Sequence, residues 1–160
     1  MDPTFSRLMA PGDLNVQRWK PMNYGVNIDV PVDANGRGQG VISINNQPTF
    51  ITRIALLFLG NTADPETSGL WQDGQILVLM QDDQRNYQNI PLNPDLLWGP
   101  KVQGPFRTLE YPIYYQGGRT VRFELTNVYT RVLTPVAETF RVQICIAGLA
   151  DWGSAEPATR

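Results

Sequence analysis

Chemistry in a protein chain is first sought at histidine, and this 160-residue sequence contains none. That removes Ser–His and Cys–His nucleophile pairs, histidine metal sites and imidazole as acid or base. Cys145 is the single cysteine, so no disulfide closes within the chain. It lies between Ile144 and Ile146 on the outward parity of a strand pattern, where an inert thiol in a second buried layer is the expectation. Carboxylate pairs are the remaining acid–base candidates, because glycoside chemistry needs two acids flanking one bond. Asp29/Asp33, Asp64/Glu66 and Asp82/Asp83 have the necessary closeness in sequence. Asp82 and Asp83 fall where a hairpin turn is expected, and Asp in a turn bonds its own backbone. Asp64-Pro65-Glu66 falls in a loop. The pattern therefore predicts turn residues and no catalytic pair. No D-x-D-x-D-G spacing marks a calcium loop, so no metal ligand is assigned. Gly36-Arg37-Gly38-Gln39-Gly40 fits neither phosphate-loop pattern and precedes a strand, which predicts a hairpin loop. No cofactor is implied, and the chain is read as a non-enzyme.

The tryptophans suggest another kind of work. Trp19, Trp71, Trp98 and Trp152 all lie outside the segments that read as strands. Three readings follow. The rings close the ends of a core, anchor a protein interface where Trp and Arg are enriched, or stack on sugars. On residue type and position, Phe5, Leu8, Trp19, Trp71 and Trp98 are the candidate protein-interface residues.

These residues must be positioned by a scaffold, and the composition describes one. The hydrophobic fraction of 42% and charged fraction of 18% are those of a globular domain. With 14 Gly and 13 Pro, the chain is rich in turns and suits many short strands. The net charge of −2 supplies no field for a polyanion, so nucleic acid is not an expected partner. Lys20 and Lys101 are the only lysines among thirteen basic residues; the others are Arg, which favours planar ion pairs and interfaces. The longest apolar run, Ile54 to Leu59, is too short for a membrane span. Met1 to Lys20 lacks an apolar leader core, which predicts synthesis in the cytosol.

Residues 1–23 read as an extended N-terminal arm, broken by Pro3, Pro11 and Pro21 and holding large apolar groups at no steady period. From residue 24 to 150 the chain reads as one β-sandwich domain, and residues 151–160 as an exposed tail. Val26, Ile28 and Val30 alternate, as do Ile42 and Ile44 in a strand starting at Val41. Phe50 to Leu59 and Ile76 to Met80 are apolar on both parities, as central strands are. Arg85 to Ile90 is expected to form a strand after the Asp82–Gln84 turn. Pro91 to Phe106 reads as a long ordered loop, and a short helix is conceivable between Asp64 and Gln72. Leu109 to Tyr115, Arg119 to Asn127 and Phe140 to Ile146 complete the set, with Gln116-Gly117-Gly118 as a turn. Val121, Phe123 and Leu125 alternate strictly with Arg122, Glu124 and Thr126. About eight strands of this kind predict an all-β, two-sheet antiparallel sandwich, jelly-roll-like.

The order of these motifs is similar to that of a known group. It runs Gly38-Gln-Gly-Val-Ile-Ser-Ile44, then Gln47-Pro-Thr-Phe-Ile-Thr-Arg-Ile54, then a Pro-rich middle with Leu97-Trp-Gly-Pro100. It ends on Tyr111-Pro-Ile-Tyr-Tyr-Gln-Gly-Gly-Arg-Thr-Val-Arg-Phe-Glu-Leu-Thr-Asn127 and Phe140-Arg-Val-Gln-Ile-Cys-Ile-Ala-Gly-Leu149. Over residues 24–149 this resembles the small jelly-roll decoration, or cement, proteins on the heads of tailed bacteriophages. The resemblance implies a structural virion protein on the capsid exterior, made in the host cytoplasm. It implies two partners, the major capsid protein and the chain itself as a homo-oligomer, usually a trimer. The competing expectation is a carbohydrate-binding or host-attachment module of a head fibre or tail, carrying exposed aromatics beside carboxylates and amides.

Overall fold

The computed structural model describes residues 19–33, 35–61, 75–101, 104–128 and 139–151. Seven strands run through them: β1 (Trp19–Pro31), β2 (Arg37–Ser43), β3 (Thr49–Asn61), β4 (Ile76–Asp82), β5 (Phe106–Tyr115), β6 (Thr120–Asn127) and β7 (Thr139–Asp151). One short helix, α1 (Pro94–Trp98), interrupts them. The strands form a four-stranded sheet, β1-β7-β3-β5, and a three-stranded sheet, β2-β6-β4. Every pairing is antiparallel.

The pairings are nested. β1 pairs with β7 from Trp19↔Asp151 to Pro31↔Thr139, β2 with β6, and β3 with β5. β4 meets the chain that follows it through two bridges, Gln81↔Asn86 and Val78↔Leu92. The described chain is thus one long antiparallel ribbon with its tip just beyond Asp82. Successive ribbon pairs lie alternately in the four-stranded and three-stranded sheets, and β7–β3 and β6–β4 close the sheets sideways. This winding is that of a jelly roll.

Alternation explains the core. Val121, Phe123 and Leu125 of β6, Val142, Ile144 and Ile146 of β7 and Ile76, Val78 and Met80 of β4 are all buried between the sheets. Each such side chain contributes about 1.5–3 kcal/mol on leaving water. The Gln116–Gly118 turn forms as expected, with Gly117 and Gly118 at φ 99° and 65°. Asn35 holds φ 66°, and Asn127 Nδ2 donates to the carbonyls of Val32 and Asp33 (3.0 and 3.2 Å), which pins the β1–β2 connection. Across β1 and β7, Arg141 donates to both oxygens of Asp29 at 2.7 and 2.9 Å. That hydrogen bond, with the guanidinium charge, holds the Asp29 carboxyl below its usual range against a smaller opposing effect of burial.

Several boundaries differ from the sequence-based expectation. β1 begins at Trp19, so residues 19–23 of the expected arm are paired with Asp151 to Ala147. Pro21 is tolerated because β1 is an edge strand. β7 extends through Asp151. Gly38 and Gly40 are not in a loose loop but inside β2, which starts at Arg37. Both are buried beneath β1, and a Cβ on Gly40 would sit 2.5 Å from Ile28 Cγ1. The glycines let the two sheets meet closely at a corner. Arg85 to Ile90 does not form a full strand, and the chain turns away at Pro91 and Pro94, which have no N–H to give a ladder. The expected loop from Pro91 contains α1. The expected helix between Asp64 and Gln72 lies outside the described residues. Among the described residues, no helix is long and apolar enough to cross a membrane.

Candidate functional site

The main irregularity of the sandwich is in β5, which with β1 forms an edge of the four-stranded sheet. Its register with β3 jumps from Ile51↔Ile113 to Arg53↔Thr108. Thr52 therefore faces four residues, Leu109, Glu110, Tyr111 and Pro112. Pro112 has no N–H and a fixed φ, a residue that sheets accept only at edges and bulges. The bulge turns Leu109 into the core and lifts Tyr111 to 69% exposure. Edge bulges re-aim side chains in this way.

Two clefts flank the bulge. The first, of about 480 Å³, lies between the bulge and α1, with Leu96, Trp98, Leu109 and Glu110 in its walls. Asn93 starts α1 by accepting the Asp95 N–H at 2.9 Å, Pro94 takes the first turn, and Gly99 ends it at φ 81°. Asp95 then accepts from Nε and Nη2 of the fully buried Arg107 at 3.2 and 2.9 Å, which docks the helix on β5. Leu96 is left 78% exposed on the outer side. The second cleft, of about 680 Å³, lies between the bulge, the ribbon tip and the start of β6, with Arg85, Tyr111, Tyr114 and Arg119 in its walls.

A chain of hydroxyls forms the floor between the clefts. Tyr87 Oη is 2.8 Å from Asp82 Oδ2 and 2.7 Å from Tyr115 Oη. One phenol carries one proton, so Tyr87 donates to the carboxylate and accepts from Tyr115. Burial pushes both phenols up, Tyr115 to about 12 and Tyr87 further. Asp82 also accepts the N–H groups of Gln84 and Arg85 at 2.8 and 2.6 Å. Burial alone would raise the Asp82 carboxyl, but these bonds, the Tyr87 bond and the Arg85 charge hold it below its usual range. Asp82 is thus the turn cap the sequence predicts, and Asp83 holds the Thr120 N–H at 2.9 Å. Asp29 is held by Arg141, and Asp64 and Glu66 lie outside the described residues. Among the described residues, no cluster of three His, Cys, Asp or Glu side chains is placed to bind a metal. Cys145 is half-buried on the outer face beside Gly25, and burial pushes its thiol up.

Of the candidate interface residues, Trp19 and Trp98 are among the described residues, and they lie on opposite sides of the four-stranded sheet, one on its outer face and one in the core. Phe5, Leu8 and Trp71 lie outside the described residues, as does Trp152. Trp19 is half-buried on the outer face of the four-stranded sheet, its ring 5.2 Å from Phe50, which lies 4.8 Å from Tyr114. Trp98 is not an exposed anchor. It is 4% exposed, in the core and edge-on to Phe123, because α1 turns it inward. Its reading as an interface residue gives way to that of a core cap. Leu96, Tyr111 and Tyr114 are exposed instead, together with Val41, Leu59, Ile90 and Val128. Pro112 inside a strand pattern was the available sign of an edge bulge beside Tyr111. No protein-family model and no curated protein matches the sequence.

Proposed function

We propose that this chain is a structural virion protein that binds the outside of a phage capsid and cements neighbouring capsid subunits. The observation that carries the reading is the bulge of β5, which holds Tyr111, with Tyr114 and Leu96 nearby, out from a jelly-roll scaffold. Aromatic groups on a preorganised ridge gain contact area at little cost in ordering. The described acidic side chains with the best hydrogen bonds serve structure: Asp82 the ribbon tip, Asp29 the β1–β7 pair, Asp95 the helix, and Glu124 the cross-strand Arg37 and Gln39. The motif resemblance supplies the partners: the major capsid protein and further copies of this chain, as a trimer. In this account the sandwich provides the trimer face and ridge, while the segment before Trp19 crosses subunit boundaries. Apolar burial there contributes about 25 cal/mol per Å², less the cost of ordering the segment.

The test is co-sedimentation of the full chain, and of a variant lacking residues 1–18, with assembled empty phage heads. The cut must stop at residue 18, because removal through 23 would take five residues from β1. Saturable binding by the full chain and weaker binding by the folded truncated chain are expected. Equal binding by both removes the role given to the arm, and failure of the full chain to bind removes the reading itself.

A further inference from the structure

Besides Tyr111 and Tyr114, which it shares with the ridge, the second cleft has charged and amide groups that the cementing role does not require. Its charged wall residues are Arg85 and Arg119, and no carboxylate lines it. Arg85 is balanced by Asp82 below it (Nε to Oδ2, 3.4 Å), whose side chain is 2% exposed. Arg119 has no ion-pair partner among the described residues, and its own carbonyl accepts the Ile44 N–H at 2.7 Å, which fixes its backbone. The wall itself thus presents guanidinium groups and no carboxylate, with Asp82 beneath Arg85 and Asp83 bonded to the Thr120 N–H next to Arg119. Tyr111 and Tyr114 supply ring faces, and Tyr114 is braced by Phe50. Gln84 and Gln116 add amides that donate and accept. A guanidinium, flat rings and amides around about 680 Å³ match a ligand with a carboxylate, apolar C–H faces and hydroxyls.

We propose that this cleft binds a carboxylated saccharide, a sialic or hexuronic acid residue, with Arg119 on the carboxylate and Tyr111 against the sugar ring. An acidic peptide has the same charge but fits the wall less well. Peptides join sheet edges through a regular row of backbone N–H and C=O groups. Here the row is broken by the four-residue bulge and by Pro112. A sugar needs only the side chains.

The experiment is NMR titration of the full-length protein with N-acetylneuraminic acid, methyl glucuronide, methyl glucoside and a glutamate hexapeptide. Both acidic sugars are expected to bind with dissociation constants of ~1 mM or below, and the neutral glycoside at least about tenfold more weakly. Arg119→Gln should bring acidic and neutral sugars to equal affinity, and Tyr111→Ala should weaken both. If Arg119→Gln does not fold, the exposed Tyr111→Ala carries the test alone. Equal affinity of acidic and neutral sugars for the unaltered protein overturns the proposal. So does absence of sugar binding, preference for the hexapeptide, or unchanged affinity in the folded variants.

Discussion

The phenol oxygen of Tyr87 lies 2.7 Å from that of Tyr115, and this contact ties the tip of the folded ribbon to the end of β5. Tyr87→Phe removes the only proton that Tyr87 can give to Asp82 and the oxygen that Tyr115 addresses. A buried hydroxyl and a largely buried carboxylate oxygen each lose a partner. The variant should lose about 1–3 kcal/mol of stability, read as a lower urea midpoint at unchanged slope. An unchanged midpoint would mean that water replaces the hydroxyl at no cost.

The same pair predicts an alkaline limit. Tyr115 is raised to about 12 and Tyr87 further, chiefly by burial, so the folded chain keeps protons that the unfolded chain has released. Stability is then complete below the ordinary phenol value of about 10 and falls as pH rises above it. The loss sets in between about pH 10 and 12, where the unfolded phenols ionise before the folded ones. Urea midpoints at pH 9 and pH 11 check this, and Tyr87→Phe should make the loss shallower.

Glycine is required where strands cross closely. A methyl group on Gly40 would lie 2.5 Å from Ile28 Cγ1, and on Gly148 it would meet the backbone carbonyl of Phe50. Ile28 can shift, whereas a paired carbonyl cannot shift without breaking the ladder. Gly40→Ala should cost about 1–3 kcal/mol. Gly148→Ala should cost more, to the point of abolishing soluble expression. Thermal melts of both proteins rank them.

Trp98 and Tyr111 separate packing from display. Trp98→Ala empties a core position and should cost about 3–5 kcal/mol. Tyr111→Ala, at an exposed position, should stay within about 0.5 kcal/mol of the parent. Chemical denaturation of the two variants measures the contrast, and a large loss for Tyr111→Ala would place its ring in the fold's own packing.

Period-two alternation made β6 and β7 readable in the sequence, because one face of each strand must be apolar for the sandwich to close. Glycine pairs made the Gly117–Gly118 turn readable for a backbone reason. The start of β1 was hidden because Pro21 and the exposed Lys20 and Asn23 break the apolar alternation, while the residues that pair with them lie more than a hundred positions away. Gly38 and Gly40 read as loop glycines because only the crossing of Ile28 shows why a side chain cannot fit there. The inward turn of Trp98 is hidden for a related reason. A five-residue helix has no periodicity to read, and its inward turn depends on the Asn93 cap and the buried Arg107. The clefts were the least legible part, since a four-residue bulge is a mismatch between two strands and neither strand records it alone.

Cementing is most directly measured as heat resistance of the assembled head. Empty heads with and without the bound protein should be heated together, and shell disruption followed by light scattering. Saturation with the full chain should move disruption to a higher temperature, and the chain lacking residues 1–18 should give less of this shift. Heads that break at one and the same temperature, decorated or bare, would contradict the cementing role.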